Sequence, residues 1–215
     1  MKISYYPGCT LKTNAKNFED STLCSLKALG IEVEEINRWN CCGTVFSLAT
    51  DDLIHHVAPI RNLIRTKQAG SDAVMTPCAM CYNTLKRANE KVKSDPDSLE
   101  KINNFIDYEK ISYHGDVKVL HLLEILRDQV KFENLAKKVV KPLNGLKVAS
   151  YYGCLLVRPK EIGLDDVENP QVMEALRQIL LRKKKDYVKI PKLTDHEKED
   201  VPPIALISSF RKYTS

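Results

Sequence analysis

The chain has 215 residues, of which 43% are hydrophobic and 28% charged, with a net charge of +5. That balance excludes a largely disordered chain and suffices for one or two domains with a buried core. Lys and Arg are interleaved with Asp and Glu, so the surplus describes a solvated surface rather than a nucleic-acid-binding stripe, and no run approaches the ~20 apolar residues of a membrane span.

Alternating strand-like and helical patterns follow along the chain. Apolar spacing predicts a strand over residues 2–6, a helix over 15–29 that turns Phe18, Leu23, Leu26 and Leu29 inward and stops at Gly30, and a strand over 31–36. A helix is expected over 53–69, broken or started at Pro59, then a strand over 73–76 closed by Pro77, and a helix over about 81–92. Helical patterns over 98–106, with Leu99, Ile102 and Phe105 on one stripe, and over 120–130 precede a strand at 146–151 and a last helix over 171–181. The alternation specifies an α/β fold: a layered parallel-sheet domain over 1–140, with an incomplete second α/β unit over 141–181 and a basic, loosely structured tail over 182–215.

The second unit is marked by an internal echo. Ser4-Tyr5-Tyr6-Pro7-Gly8-Cys9 and Ser150-Tyr151-Tyr152-Gly153-Cys154 both read as a strand ending in Gly-Cys. A full second copy would place the partners of Cys41 and Cys42 at Asp186 and Tyr187, and the partner of Cys78 beyond residue 215. The second unit is begun and not completed within these residues.

Residues 1–6 lack the basic region and apolar run of an export signal, so the expected compartment is the cytoplasm. There, seven cysteines more readily hold metal or do redox chemistry than form disulfides, and the odd number argues against a closed disulfide set. Five of them form one pattern: Cys9, the adjacent pair Cys41-Cys42, and Cys78-Ala79-Met80-Cys81. Each group follows a predicted strand or loop, where open α/β sheets gather ligands. The two-residue gap lets Cys78 and Cys81 face one metal, whereas adjacent side chains point apart, so Cys41 and Cys42 suit a cluster of several irons better than one tetrahedral zinc.

Five thiolates also exceed the four of a structural zinc site. A zinc module stays open, as does a thioredoxin-like dithiol at Cys78 and Cys81, although the dithiol leaves Cys9, Cys41 and Cys42 unexplained. Cys24, between Leu23 and Leu26, is expected to be a buried structural cysteine, and Cys154 is a further candidate ligand without its partners. His55, His56, His114 and His121 are expected at the solvent or its boundary. No Gly-rich phosphate loop indicates a nucleotide cofactor.

The spacing, with Asn40-Cys41-Cys42-Gly43 and Pro77-Cys78-Ala79-Met80-Cys81-Tyr82-Asn83, resembles the cysteine-rich CCG domain of the heterodisulfide reductase B subunit family. Tyr5-Tyr6-Pro7-Gly8-Cys9 and Tyr151-Tyr152-Gly153-Cys154-Leu155-Leu156-Val157-Arg158-Pro159 look like the openings of that family's two tandem units, so the likeness extends over about residues 1–170. It implies a non-cubane [4Fe-4S] cluster held by Cys9, Cys41, Cys42, Cys78 and Cys81, and an oxidoreductase that reduces the coenzyme M-coenzyme B heterodisulfide to two thiols in methanogenesis. Electrons would arrive from the ferredoxin-like clusters of a C subunit, fed by a flavin-containing A subunit and in some complexes a hydrogenase, and iron would capture the substrate sulfurs as Lewis acid and electron donor. Of the second unit's cysteines only Cys154 is present, so a second cluster is not completed by these residues. Related readings are the CCG iron-sulfur subunit of an organic-acid:quinone oxidoreductase and a one-cluster relay without catalysis; Pro77 to Asn83 favours the heterodisulfide type.

Overall fold

The computed structural model describes residues 2–44, 53–143 and 146–181. Four short parallel strands form its sheet: β1 Lys2–Tyr5, β2 Glu32–Glu35, β3 Ala73–Thr76 and β4 Lys118–His121, in the order β2-β1-β3-β4. Ile3 pairs with Val33, Ser4 with Val74, and Val74 with Val119. The chain leaves β1 toward one edge, then returns past it to add β3 and β4 on the other side. Crossovers therefore diverge between β1 and β3, which opens a crevice at the carboxyl ends of those two strands.

Helices cover both faces, as a parallel sheet requires. One face carries α2 (Lys16–Ala28), whose Leu26 packs with Ile3, Tyr5, Ile31, Met75, Leu120 and Ile125. The other carries α3 (Val57–Gln68) and α4 (Ala79–Ser94), with Ile60, Leu63, Ile64, Tyr82, Leu85 and Ala88 against Tyr6, Val74 and Val119. Between these, α1 (Cys9–Lys12) is a single turn, and α5 (Pro96–Phe105) starts at Asp95, whose side chain accepts from Ser98 N–H. After β4 come α6 (Leu122–Glu124), a π-helical turn over Ile125–Val130, α7 (Phe132–Lys138), α8 (Cys154–Val157) and α9 (Val172–Leu180).

The segment carrying α8 and α9 shares the larger core: Leu156, Val157, Leu164, Val172, Met173 and Leu176 join the cluster around Tyr82 and Leu85. Polar ties run the same way. Asn83 Nδ2 donates to the carbonyls of Leu155 at 2.9 Å and Arg158 at 2.7 Å, and Tyr82 Oη donates to Ile162 C=O at 3.0 Å.

Several sequence expectations are corrected. The helix expected over 120–130 begins with strand β4, whose residues Val119 to His121 are buried on both faces; a parallel strand reads as an unbroken apolar run that periodicity cannot separate from a helix. The strand expected at 146–151 is irregular backbone. Among the described residues it has no neighbouring strand, Leu146 and Tyr151 are exposed, and its carbonyl at Val148 is taken by Arg177 of α9 instead. In α5 the inward stripe is Ser98, Ile102 and then Ile106, leaving Phe105 exposed. Cys24 faces solvent, because α2 buries Glu19, Thr22 and Leu26 instead. The tail expected over 182–215 lies outside the described residues, as does part of the loop before the helix expected at 53–69, which begins as a 3-10 turn over Leu53–His56.

Candidate metal centre

All three cysteine groups arrive at the same crevice. Cys9 follows β1, Cys41 and Cys42 follow β2, and Cys78 follows β3 and opens α4, which carries Cys81 one turn on. The sulfurs of Cys9 and Cys41 are 3.7 Å apart and those of Cys42 and Cys81 are 3.6 Å apart. The adjacent pair is thus split, one sulfur turned to each neighbour. Cys42 and Cys81 are buried, Cys9 and Cys78 half-buried and Cys41 exposed. Cys154 is exposed at the start of α8, on a surface cleft of about 740 Å³ that it shares with Arg87, Arg158 and Lys160.

The backbone is shaped to permit this approach. Gly8 has φ 73° and ψ 162°, a region essentially reserved for glycine, and a Cβ there would stand 2.7 Å from Cys81 Sγ. Behind Cys41, the buried Asn62 carboxamide holds both backbone groups of Asn40: Oδ1 accepts from its N–H at 2.9 Å and Nδ2 donates to its C=O at 2.9 Å. Tyr6 Oη donates to the same carbonyl at 2.8 Å. Arg65 reaches Asn40 Oδ1 at 3.2 Å and is itself paired at 3.3 Å with the buried Glu109, which Arg61 also binds at 3.0 Å.

Proton affinities divide the thiols. Cys81, buried beside the sulfurs of Cys42 and Cys78, is held strongly in its protonated form. The interaction with Cys81 in turn lowers Cys42 to about 7 and Cys78 to about 6, with the amides of Met80 and Cys81 at the helix start assisting Cys78. Burial raises Cys41, opposed by the Gly43 amide. Burial, then the nearby sulfurs of Cys81 and Cys42, holds the Tyr6 phenol protonated.

Two thiolates on one tetrahedral ion with bonds of ~2.3 Å sit about 3.8 Å apart. The two close pairs are near that spacing and belong to different neighbours, so the donor set suits a centre with more than one metal atom. Among the described residues, no group of three or more His, Cys, Asp or Glu is arranged as a ready single-ion site.

The histidine expectation needs correction at two positions. His56 is buried, and His121 is buried at the end of β4 with its Nε2 3.0 Å from the carbonyl of Pro77; burial lowers it to about 4. His114 is exposed, as expected. Sequence reasoning missed Tyr6, Gly8, Asn62 and His121 as supports of the cysteines. Only Gly8, in the Pro-Gly-Cys strand end, carried a visible signal.

Residues 3–86 match the CCG family, described as a cysteine-rich domain. The chain is 36% identical over 180 residues to the 8-methylmenaquinol:fumarate reductase membrane anchor subunit of Wolinella succinogenes, an alignment covering 83% of this chain and 62% of that protein. It is 29% identical over 180 residues to a protein of Archaeoglobus profundus that is like the heterodisulfide reductase B subunit, covering 83% and 60%. It is also 29% identical over 188 residues to the B subunit of the ferredoxin/F(420)H(2)-dependent CoB-CoM heterodisulfide reductase of Methanosarcina acetivorans, covering 86% and 62%. The chain spans about three fifths of the length of these curated relatives. Among the described residues, no helix is long and apolar enough to cross a membrane.

Proposed function

From the premise that residues 3–86 are a CCG cysteine-rich domain, we propose that this chain is the cluster-binding subunit of a cytoplasmic oxidoreductase complex of the heterodisulfide reductase B type. Cys9, Cys41, Cys42, Cys78 and Cys81 would hold a non-cubane [4Fe-4S] cluster. When bound, such a cluster supplies one-electron transfer and a Lewis-acidic iron that takes up thiolate sulfur. The observation that carries the reading is the split of Cys41 and Cys42 between two sulfur pairs, which supports a multi-iron centre over a lone zinc.

The chain's own residues act on loading and access. Ligands must shed protons to bind metal, and Cys42 at about 7 and Cys78 at about 6 do so near neutral pH, while Cys81 gives up its proton last. Tyr6, Cys42 and Cys81 close the inner side to water, and Cys9 and Cys41 leave the outer side open. A disulfide or thiol substrate, and the electron-donating partner, would approach on that open side. The proposed substrate is the coenzyme M-coenzyme B heterodisulfide in methanogenesis, with C and flavin-containing A subunits, and a hydrogenase in some assemblies, as partners. Residues 141–181 would begin a second CCG-like unit, with Cys154 as its first ligand.

A second reading has one observation in its favour, the 36% identity to the Wolinella succinogenes fumarate reductase subunit. In it, the same cluster would relay electrons between a quinol and an organic acid. Anaerobic iron and sulfide analysis, with paramagnetic resonance after oxidation in the presence of coenzyme M thiol, tests the proposal. About four irons and four sulfides with a new signal on adding thiol support the heterodisulfide type. Four irons with no response to thiol favour the quinol reading, and one zinc without sulfide removes the redox assignment.

A further inference from the structure

His121 ends β4 with its ring buried, and both ring nitrogens are engaged. Nδ1 accepts from the backbone N–H of Leu123 at 3.2 Å, so it bears no proton. The ring hydrogen therefore sits on Nε2, which donates to the carbonyl oxygen of Pro77 at 3.0 Å. The first contact caps α6, completed by Glu124, whose Oε2 accepts from the His121 N–H at 2.7 Å. The second reaches across to another strand end, at the residue immediately before Cys78.

Every backbone group around Cys78 is held. The Pro77 carbonyl is bound by His121, the Cys78 N–H donates to Thr76 Oγ1 at 3.3 Å, and the Cys78 carbonyl accepts from Tyr82 N–H at 2.9 Å. The Tyr82 ring also meets the His121 ring edge-on at 5.5 Å. A helix cap alone needs only a short acceptor such as Asn or Ser. The imidazole does more, because its far nitrogen fixes one peptide plane of the β3–α4 turn.

We infer that His121 is a positioning residue for Cys78: donation from Nε2–H to the Pro77 carbonyl sets the Pro77–Cys78 peptide and with it the direction in which the Cys78 sulfur is presented to the metal centre. The inference rests on the cluster-binding reading above. Outer supports of this kind tune ligand orientation and metal retention without touching the metal.

Two substitutions separate the clamp from the cap. His121→Asn keeps an acceptor where Nδ1 stands but falls short of Pro77, whereas His121→Gln places an amide N–H where Nε2 stands and forfeits the cap. The readouts are iron retained against a chelator and the paramagnetic resonance spectrum of the loaded chain. His121→Asn is expected to lose iron about 10- to 100-fold more readily and to show an altered spectrum, with His121→Gln close to wild type. Wild-type behaviour of His121→Asn, impairment confined to His121→Gln, or equal loss in both would overturn the inference. Nitrogen-15 NMR of histidine in the unmutated, metal-free chain provides a check that needs no variant: an Nδ1-protonated tautomer at His121 would also overturn it. Absence of iron and sulfide from the wild-type chain would instead sink the cluster-binding reading, which keeps the two failures distinct.

Discussion

The sulfurs of Cys42 and Cys81 lie 3.6 Å apart on the buried side of the crevice, and burial beside Cys42 and Cys78 holds Cys81 in its protonated form. Removing the Cys81 thiol removes the largest cause of the low proton affinity at Cys42 and Cys78. In metal-free protein, Cys81→Ala should raise Cys78 from about 6 toward the ordinary thiol value of about 8.5. The pH dependence of iodoacetamide labelling at Cys78, read by mass spectrometry, checks this. An unchanged labelling midpoint would mean that the helix-start amides, not Cys81, hold Cys78 as thiolate.

Ligand substitution gives the second prediction. Cys42→Ser and Cys81→Ser should abolish iron incorporation, while Cys24→Ser, on the solvent face of α2, leaves iron and sulfide unchanged. Iron content of anaerobically purified variants decides the matter. Equal loss in all three would remove the ligand assignment.

Gly8→Ala tests the close approach of backbone to sulfur. Its φ of 73° and ψ of 162° cost an alanine roughly 1–3 kcal/mol. The added Cβ would also meet Cys81 Sγ at 2.7 Å and push it from its place. Thermal unfolding should fall by roughly 2–4 °C per kcal/mol lost, accompanied by reduced iron content. A chain that loses stability and retains full iron would show that the sulfur position tolerates the methyl.

The cysteine set and the α/β alternation were legible in sequence because both are local or periodic: strand-end groups such as Pro77-Cys78 and the extent of α2, though not its full inward stripe, are written in short windows. The supports were not. Asn62 sits between Arg61 and Leu63 on α3 with nothing in its flanks to announce that it grips Asn40, 22 residues away, and His121 reaches Pro77 across 44 residues. Such contacts exist only once the strand order β2-β1-β3-β4 is set. For the same reason the strand expected at 146–151 failed: β-propensity proposes a strand, but only a neighbouring strand completes its hydrogen bonds.

Asn62→Asp isolates the clamp on the Cys41-Cys42 turn. The variant matches asparagine in shape and still accepts from the Asn40 N–H, yet it trades the donor facing the Asn40 carbonyl for an acceptor. A cost of about 1–3 kcal/mol is expected from two facing acceptors in a buried site, together with lower iron retention. Chemical denaturation and chelator competition measure the two effects. Unaltered iron retention despite lost stability would make Asn62 a fold residue only.

Acid sensitivity supplies the last prediction. Burial lowers His121 to about 4, against about 6.5 for an unfolded histidine. Between those values the unfolded chain binds a proton that the folded chain refuses, so unfolding free energy rises with pH across the window and levels off above it. Stability from the neutral ring is therefore complete above about pH 6.5 and is lost as pH falls toward 4, by roughly 2–4 kcal/mol in all. Denaturation of metal-free wild type and His121→Asn at a series of pH values isolates this part, since carboxylate contributions common to both cancel in the difference. The gap between the two chains should shrink with acidification through that window. A gap independent of pH would show that the ring accepts a proton in place, and that the Pro77 contact survives charging.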